Sequence, residues 1–327
     1  MCVRPSTGGV NGKWRAALVT VALLLVVPIA AQGPPNNGRQ SGPAAPVKLP
    51  LDNLGVEHLD IVVPDTAAAA QFYARVFKMP LHQQPVRDTL RYFIVLGDVP
   101  ADRQVGYIAI GAGQGRPPAI GHYCVLAKTY NAAGFAASLE MAGLPSKPTA
   151  AGPIGMWPDL DGLELQLFQP PAGLVTAAVP SPLSVDTGML APTGVDHIML
   201  NVSSLDKALP YYRGIYGTVP ERPPDRNGRV WFMMEKNTRI GLQKAPDGKP
   251  SIDHFAIKVA AFDRAAFTAR LNQIGAKILP SPDEPDVVRF LDNNGITVEV
   301  RPQLSTTGKQ AWRAWARQAT PETASRL

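Results

Sequence analysis

The chain has 327 residues, of which 45% are hydrophobic and 18% are charged, and its formal net charge is +6. The basic excess is mild and no cluster of lysines and arginines stands out, so we predict no nucleic-acid partner. Two cysteines, Cys2 and Cys124, are too few for a disulfide scaffold, so a hydrophobic core must hold the protein together.

The N-terminus has the pattern of a targeting segment. Arg4, Lys13 and Arg15 precede an apolar run, Ala16–Ala31, that is short for a membrane span. We predict a signal peptide cleaved near Ala31, with an uncleaved N-terminal anchor as the alternative. Cleavage removes three basic residues and leaves a net charge of +3. The mature protein is then exported, periplasmic or extracellular, with no stable membrane insertion.

Stretches rich in proline and glycine divide the remaining chain into parts long enough to hold their own cores. The predicted segments are a signal peptide (1–31), a flexible leader (32–52), a first domain (53–170), a linker (171–192), a second domain (193–303) and a C-terminal tail or helix (304–327). The tail contains Trp312 and Trp315, which predict a terminal helix packed on the body.

Four short runs rich in valine, isoleucine and leucine each carry a histidine near their start, a composition typical of buried strands. The four histidines are His58, His122, His197 and His254. An aromatic residue follows each of them after 13 or 14 residues, and an aliphatic residue comes four residues later. Because residues at i and i+4 share one helix face, each run predicts a strand, a turn and a helix.

A third element closes each half of the chain. Asp159 and Asp292 each begin an Asp-x-x-Gly turn, and a strand carrying Glu164 or Glu299 follows. Each half therefore contains two histidines and one glutamate in the same order. A repeat this regular indicates an internal duplication.

Two imidazoles and one carboxylate are able to occupy one face of an octahedral metal and leave the other face open, as in Fe(II) facial-triad sites. The predicted ligands are His197, His254 and Glu299 in the second domain, and His58, His122 and Glu164 in the first. The cofactor is a divalent metal, and Fe, Mn, Zn, Ni and Co all fit. The open face lets a substrate with two neighbouring oxygens chelate the metal.

The two halves differ in the spacing before the glutamate. Glu164 follows Gly162 by two residues, whereas Glu299 follows Gly295 by four, so Gln166 is an alternative counterpart of Glu299. Side chains two apart on a strand share a face, so both alternatives stay open. The second domain is the better-supported site.

This order of strand, helix, histidines and Asp-x-x-Gly turn resembles the vicinal oxygen chelate superfamily over about residues 54–302. That superfamily includes glyoxalase I, extradiol dioxygenases, and bleomycin and fosfomycin resistance proteins. The resemblance implies an α+β fold class, with four βαβββ units forming two tandem domains, each a curled sheet around a metal. It also implies a small-molecule substrate and a monomer or homodimer.

Three side chains lie on strands that the resemblance places around the metal. We predict that Arg229 and Gln243 in the second domain, and Tyr107 in the first, contact the substrate.

Three classes of function remain open. In the preferred one, an exported metal-dependent isomerase or lyase of glyoxalase type acts on a small vicinally oxygenated metabolite, and Glu299 doubles as a catalytic proton shuttle. The alternatives are an Fe(II) extradiol-type dioxygenase and a non-catalytic binding or resistance protein. The resemblance to dioxygenases implies a further histidine and a tyrosine; both second-domain histidines are already ligands, and Phe290 stands where the tyrosine is expected.

Overall fold

The computed structural model describes residues 45–97, 106–144, 146–149, 154–169, 178–183, 188–217, 228–281, 284 and 286–303. The predicted signal peptide, most of the leader, and the tail with Trp312 and Trp315 lie outside the described residues. In the described part of the chain, helices are too short or too polar to cross a membrane.

The structure contains fifteen strands and four α-helices in the described residues. The first half comprises β1 (Asn53–Val63), α1 (Thr66–Val76), β2 (Leu81–Val86), β3 (Thr89–Leu96), β4 (Gly106–Ala112), β5 (Ala119–Ala127), α2 (Ala132–Met141), β6 (Ile154–Pro158), β7 (Glu164–Phe168) and β8 (Val179–Pro180). The second half comprises β9 (Pro192–Val202), α3 (Leu205–Tyr216), β10 (Val230–Met234), β11 (Thr238–Lys244), β12 (Ser251–Val259), α4 (Arg264–Gln273), β13 (Lys277–Leu279), β14 (Val288–Leu291) and β15 (Thr297–Pro302).

Each half forms one mixed sheet. The strand orders are β6-β7-β5-β1-β4-β3-β2-β8 and β10-β11-β9-β12-β15-β14-β13. The histidine strands β1 and β5 pair antiparallel at the middle of the first sheet, as β9 and β12 do in the second. Each of them has a parallel neighbour on its other side, namely β4, β7, β11 or β15. These two sheets confirm the predicted α+β fold class with two tandem domains.

The first and fourth units are complete βαβββ units. In the second and third units the described residues form βαββ, and residues outside the described ranges, at 150–153 and 218–227, separate the helix from the next strand. Side-chain caps start three of the helices, because Asp65, Asn131 and Asp263 accept hydrogen bonds from the first-turn N–H groups.

One apolar core runs through both halves, which belong to the same compact unit. The two Asp-x-x-Gly turns lie at its edge. Asp159 Oδ1 and Asp292 Oδ1 each accept two backbone N–H bonds from their own turn. Gly162 and Gly295 have φ values of 80° and 82°, a left-handed conformation that glycine adopts without strain.

The end of the predicted leader packs on this core, which differs from the expectation of a flexible segment. Val47 and Leu51 are buried. The Val47 N–H donates to Gly134 O at 3.2 Å, and the Leu51 N–H donates to Ile215 O at 2.8 Å. The physical reason is that two apolar side chains in an otherwise Pro-rich stretch gain free energy by leaving water.

Candidate metal centre

Two β-bulges shape the second-half site, which we define as His197, His254 and Glu299. On β9 the pairing with β12 skips Asp196, and on β12 it skips Asp253. A bulge re-aims side chains, so neighbours that would alternate faces on a regular strand are able to touch. Asp196 Oδ1 lies 2.8 Å from His197 Nδ1, and Asp253 Oδ2 lies 2.5 Å from His254 Nδ1.

The three predicted second-half ligands converge. The Nε2 atoms of His197 and His254 are 3.2 Å apart. Glu299 Oε2 lies 3.5 Å from His197 Nε2, and Glu299 Oε1 lies 3.4 Å from His254 Nε2. All three side chains are buried, and one donor atom from each lies within 4.8 Å of the others.

This donor set fits a divalent metal. Asp196 and Asp253 accept from the Nδ1 side of each ring, which directs the Nε2 lone pairs toward the centre, as carboxylate–histidine–metal triads do. Burial lowers the pKa of His197 to about 3, so the imidazole is neutral, the form that binds a metal. The Nε2 lone pairs of the two rings and the carboxylate repel one another unless a cation or proton lies between them.

Two arginines lie beside the glutamate. Arg289 Nε is 3.6 Å from Glu299 Oε1, and Arg301 Nη1 is 3.6 Å from Glu299 Oε2. Burial alone would raise the pKa of Glu299, but the nearby histidines and these arginines lower it below its usual value. A carboxylate that stays ionised is a suitable metal ligand and a weak base, which favours the ligand role over the proton-shuttle role.

Arg239 holds Asp196 in place. It donates a short hydrogen bond to Asp196 Oδ1 and lies over the Trp231 ring, 4.7 Å from its centroid. Burial would raise the pKa of Asp196, but Arg239 lowers it overall. Trp231 in turn packs edge-on against His197, with ring centroids 4.9 Å apart.

Gln243 and Arg229, two of the predicted substrate contacts, each bond to another side chain of the second half. Gln243 Nε2 donates to Asn201 Oδ1 at 2.7 Å, and Asn201 Nδ2 donates to Asp253 Oδ1 at 3.0 Å. Gln243 therefore stands at the end of a hydrogen-bond chain that positions Asp253 and, through it, His254. Arg229 is paired with Glu284 at 3.6 Å, and its guanidinium lies 5.6 Å from the Trp231 ring centroid.

The first half brings its two histidines together but not the predicted glutamate. His58 Nε2 and His122 Nε2 are 3.4 Å apart, whereas Glu164 Oε1 accepts a hydrogen bond from Thr149 Oγ1 at 2.8 Å. Among the described residues, the metal-compatible clusters do not include Glu164.

Strand register explains this difference. His122 is aligned with Glu164, and Cys124 with Gln166, whereas His254 is aligned with Thr297 and Ala256 with Glu299. Gln166 rather than Glu164 is thus the counterpart of Glu299, because the two turns have the same length and Glu164, like Thr297, is the first residue of its strand. An amide stands where the second half has its carboxylate.

Tyr107, the remaining predicted contact, packs against a histidine. Its ring stacks on His58, with centroids 4.3 Å apart and planes 12° apart, and it is 2% exposed. In the strand register it occupies the position of Arg239. Its side chain supports His58 and offers almost no surface to a substrate.

The sequence interpretation missed the acidic residues that orient the imidazoles. They precede the histidine in three of the four repeated runs, at Glu57, Asp196 and Asp253, and the fourth run has Gly121 there. This recurrence is a usable signal. Strand alternation, however, predicts that neighbouring side chains point apart, and only the bulges reverse that expectation.

No profile of a known protein family matches the chain. The metallothiol transferase FosB of Shouchella clausii (strain KSM-K16) is 26% identical over 117 residues, which cover 33% of this chain and 78% of FosB.

Several solved structures share the fold of the chain. Homoprotocatechuate 2,3-dioxygenase from Brevibacterium fuscum, in complex with 3,4-dihydroxyphenylacetate, has a TM-score of 0.57 at 16% identity and covers 82% of this chain and 85% of its own. The 2,3-dioxygenase LapB from Pseudomonas sp. KL28 has a TM-score of 0.57 at 15% identity, over 78% of this chain and 94% of LapB. At these identities the likeness establishes the fold alone.

Proposed function

We propose that this chain, which has the fold of the vicinal oxygen chelate superfamily, is a divalent-metal-dependent enzyme with isomerase or lyase chemistry of the glyoxalase type. Its substrate is a small molecule with two neighbouring oxygens, and its site is the second-half site. The observation that carries the proposal is the convergence of His197, His254 and Glu299, with an acidic residue on the far side of each imidazole.

A bound divalent metal supplies Lewis-acid stabilisation of the negative charge that develops on a substrate oxygen. The chain's own contribution is to hold His197, His254 and Glu299 on one side of the metal and to leave the other side of the metal for the substrate. Asp196 and Asp253 keep the two imidazoles in the orientation that the site needs. The low pKa of Glu299 supports a role for this residue as a ligand.

The arginines beside the site favour a substrate that carries an anionic group. Arg289 is 30% exposed and Arg301 is 17% exposed, and both lie within 3.6 Å of Glu299. A guanidinium matches the geometry of a carboxylate or phosphate and remains charged at any relevant pH. We propose that one of them binds the anionic end of the substrate while the neighbouring oxygens face the metal.

An Fe(II) extradiol-type dioxygenase is the second candidate. The two-domain likeness to catechol-cleaving enzymes over most of both chains favours it. Phe290 argues against it, because this residue stands where the resemblance to dioxygenases implies a tyrosine beside the metal. Phe290 is fully buried and packs on Phe72 and Phe267 in the core instead of lining the site.

The test is to load protein purified from expression of the full chain with Fe²⁺, Mn²⁺, Co²⁺, Ni²⁺ or Zn²⁺ and to screen two reactions. Proton exchange at carbon next to a carbonyl in hydroxy-ketones and keto-acids, followed by NMR in D₂O, is the expected activity. Oxygen uptake with catechols would instead establish the dioxygenase. His254→Ala is expected to abolish metal binding at the second-half site and the activity.

Oxalate serves as a non-reacting probe of the site because it is an anion with two neighbouring oxygens. We expect oxalate to perturb the visible spectrum of the Co²⁺-loaded protein, and Arg301→Ala to weaken its binding. Metal binding without either reaction would leave a small-molecule binding or resistance protein, and no metal at the second-half site would refute the enzymatic proposal.

We further propose that the protein is exported, as the basic and apolar N-terminal pattern indicates, and that it works as a monomer or homodimer. N-terminal sequencing of protein recovered from an expressing bacterium is expected to start near residue 32. Recovery of the intact N-terminus in the membrane fraction would establish the uncleaved anchor instead.

A further inference from the structure

The first half has softer side chains at the positions where the second half has its carboxylate and one of its arginines. In register, Cys124 replaces Ala256, Gln166 replaces Glu299, and Met156 replaces Arg289. The first half thus has an amide and a thioether where the second half has a carboxylate and a guanidinium. It also has a thiol where the second half has alanine. These donors are softer than those of the second half.

The donors converge on one place. Cys124 lies on β5 between the residues that pair with Val56 and Leu59, so it faces the Glu57–His58 bulge. Donor atoms of Glu57, His58 and Cys124 all lie within 4.8 Å of one another. His122 lies on the other side of His58, with its Nε2 3.4 Å from His58 Nε2.

The ring of His58 is oriented as the second-half imidazoles are. Glu57 Oε2 lies 2.8 Å from His58 Nδ1, which leaves Nε2 of that ring facing His122 and repeats the second-half arrangement.

A buried amide beside His58 is unsatisfied. Gln166 is 8% exposed, and its Oε1 finds no hydrogen-bond partner among the described residues. Its Nε2 makes one weak contact, with Met156 Sδ at 3.4 Å. A buried polar atom without a partner is destabilising, so it points to a group that completes the site.

The electrostatics also favour a cation. Glu57 is the counterpart of Asp196, but Tyr107 takes the position of the arginine that neutralises Asp196. A cation bound beside Glu57 would take the place that this arginine has beside Asp196.

We propose that the first half binds a thiophilic d10 cation, Zn²⁺ or Cu⁺, through Cys124 and His58, with His122 and the Gln166 amide beside them. Binding converts the Cys124 thiol to a thiolate and releases one proton to solvent. The duplicated halves thereby select different metals, a hard-donor site in the second half and a sulfur-containing site in the first. This inference does not depend on the proposed enzymatic activity.

Co²⁺ is the probe, because a cysteine ligand gives a thiolate-to-cobalt charge-transfer band that histidine and carboxylate ligands do not. The full chain carries Cys2→Ser so that Cys124 is its only thiol. We expect two Co²⁺ per chain and a charge-transfer band that Zn²⁺ removes. Cys124→Ala, which installs the residue of the second half, is expected to abolish the band and leave one Co²⁺.

His254→Ala is the matched control: it is expected to remove the other Co²⁺ and keep the band. Failure of the second-half site is therefore distinguishable from failure of this one. His58→Ala provides a second variant in case Cys124→Ala does not fold, as judged by circular dichroism, and it should reduce Co²⁺ affinity at the first-half site at least tenfold. Absence of the band in the Cys2→Ser protein, or its persistence in Cys124→Ala, would overturn the proposal.

Discussion

Tyr73 donates a hydrogen bond to Asp292 Oδ2 across the two halves, at 2.8 Å. Tyr212 makes the reciprocal bond to Asp159 Oδ2 at 2.6 Å. Each aspartate shapes its own Asp-x-x-Gly turn with one oxygen and binds a helix tyrosine of the other half with the second. The turn that precedes Glu299 is thereby anchored by the first half of the chain.

Replacing Tyr73 by phenylalanine should destabilise the protein by about 1–3 kcal/mol, because it leaves one oxygen of the buried Asp292 without a partner. Tyr212→Phe should have a similar effect. Urea unfolding measures the free-energy change. Tyr211→Phe is the control, since the bond from the Tyr211 hydroxyl to Pro158 O is long, 3.4 Å, and its acceptor is not a carboxylate; an equal loss in this variant would contradict the explanation.

The two turn aspartates should contribute a part of the stability that falls as the pH rises from about 4. Burial raises the pKa values of Asp159 and Asp292 above 3.8 despite their hydrogen bonds. Between the unfolded and folded pKa values each of these groups binds more protons in the folded chain, so its contribution to the free energy of unfolding decreases with increasing pH in that window. The free energy of unfolding of the metal-free parent minus that of metal-free Asp292→Asn should decrease between pH 4 and 7; a constant difference would exclude Asp292 as a source.

The carboxylates behind the imidazoles should control metal affinity. Asp253→Asn removes the acceptor charge on His254 Nδ1, and such changes cost about 10–100-fold in affinity. Gln243→Ala, two hydrogen bonds further away, should cost less because Asp253 keeps its contact with His254. Competition with a chelator gives the metal dissociation constant of each variant. A larger loss of affinity in Gln243→Ala than in Asp253→Asn would contradict the proposed order.

The residue at position 166 or 299 should decide whether each half binds Mn²⁺. Mn²⁺ prefers oxygen donors, so we expect one Mn²⁺ per chain in the parent protein, bound at the second-half site. Glu299→Gln should lose it, and Gln166→Glu should gain a second Mn²⁺ in the first half. Electron paramagnetic resonance counts the bound Mn²⁺. If Gln166→Glu still bound one Mn²⁺, the register equivalence of these positions would not explain the difference between the halves.

The local pattern of the sequence was sufficient for much of the architecture. Histidines at the starts of four apolar runs, with an aromatic and an aliphatic residue at helical spacing, predicted the order of strands and helices. The ordered recurrence of two histidines and a glutamate also singled out His197, His254 and Glu299, which the structure brings together. Each of these signals lies within a few residues, so strand alternation and helix periodicity suffice to interpret it.

Other features depend on how strands pair. The two-residue and four-residue spacings after Gly162 and Gly295 are compatible with either Glu164 or Gln166 facing the histidines, and the register of β7 against β5 selects Gln166. The position of Cys124 opposite His58 likewise follows from pairing between β1 and β5, which are far apart in the chain.

The sequence by itself determined the duplication, the order of strands and helices in each unit, and the types of side chain available as ligands, because these follow from composition and short-range periodicity. Only the tertiary structure decided that bulges turn Asp196 and Asp253 onto their neighbouring histidines, and that Tyr73 reaches Asp292. Such contacts arise from long-range backbone pairing and packing, and these leave no periodic trace in the residues that make them.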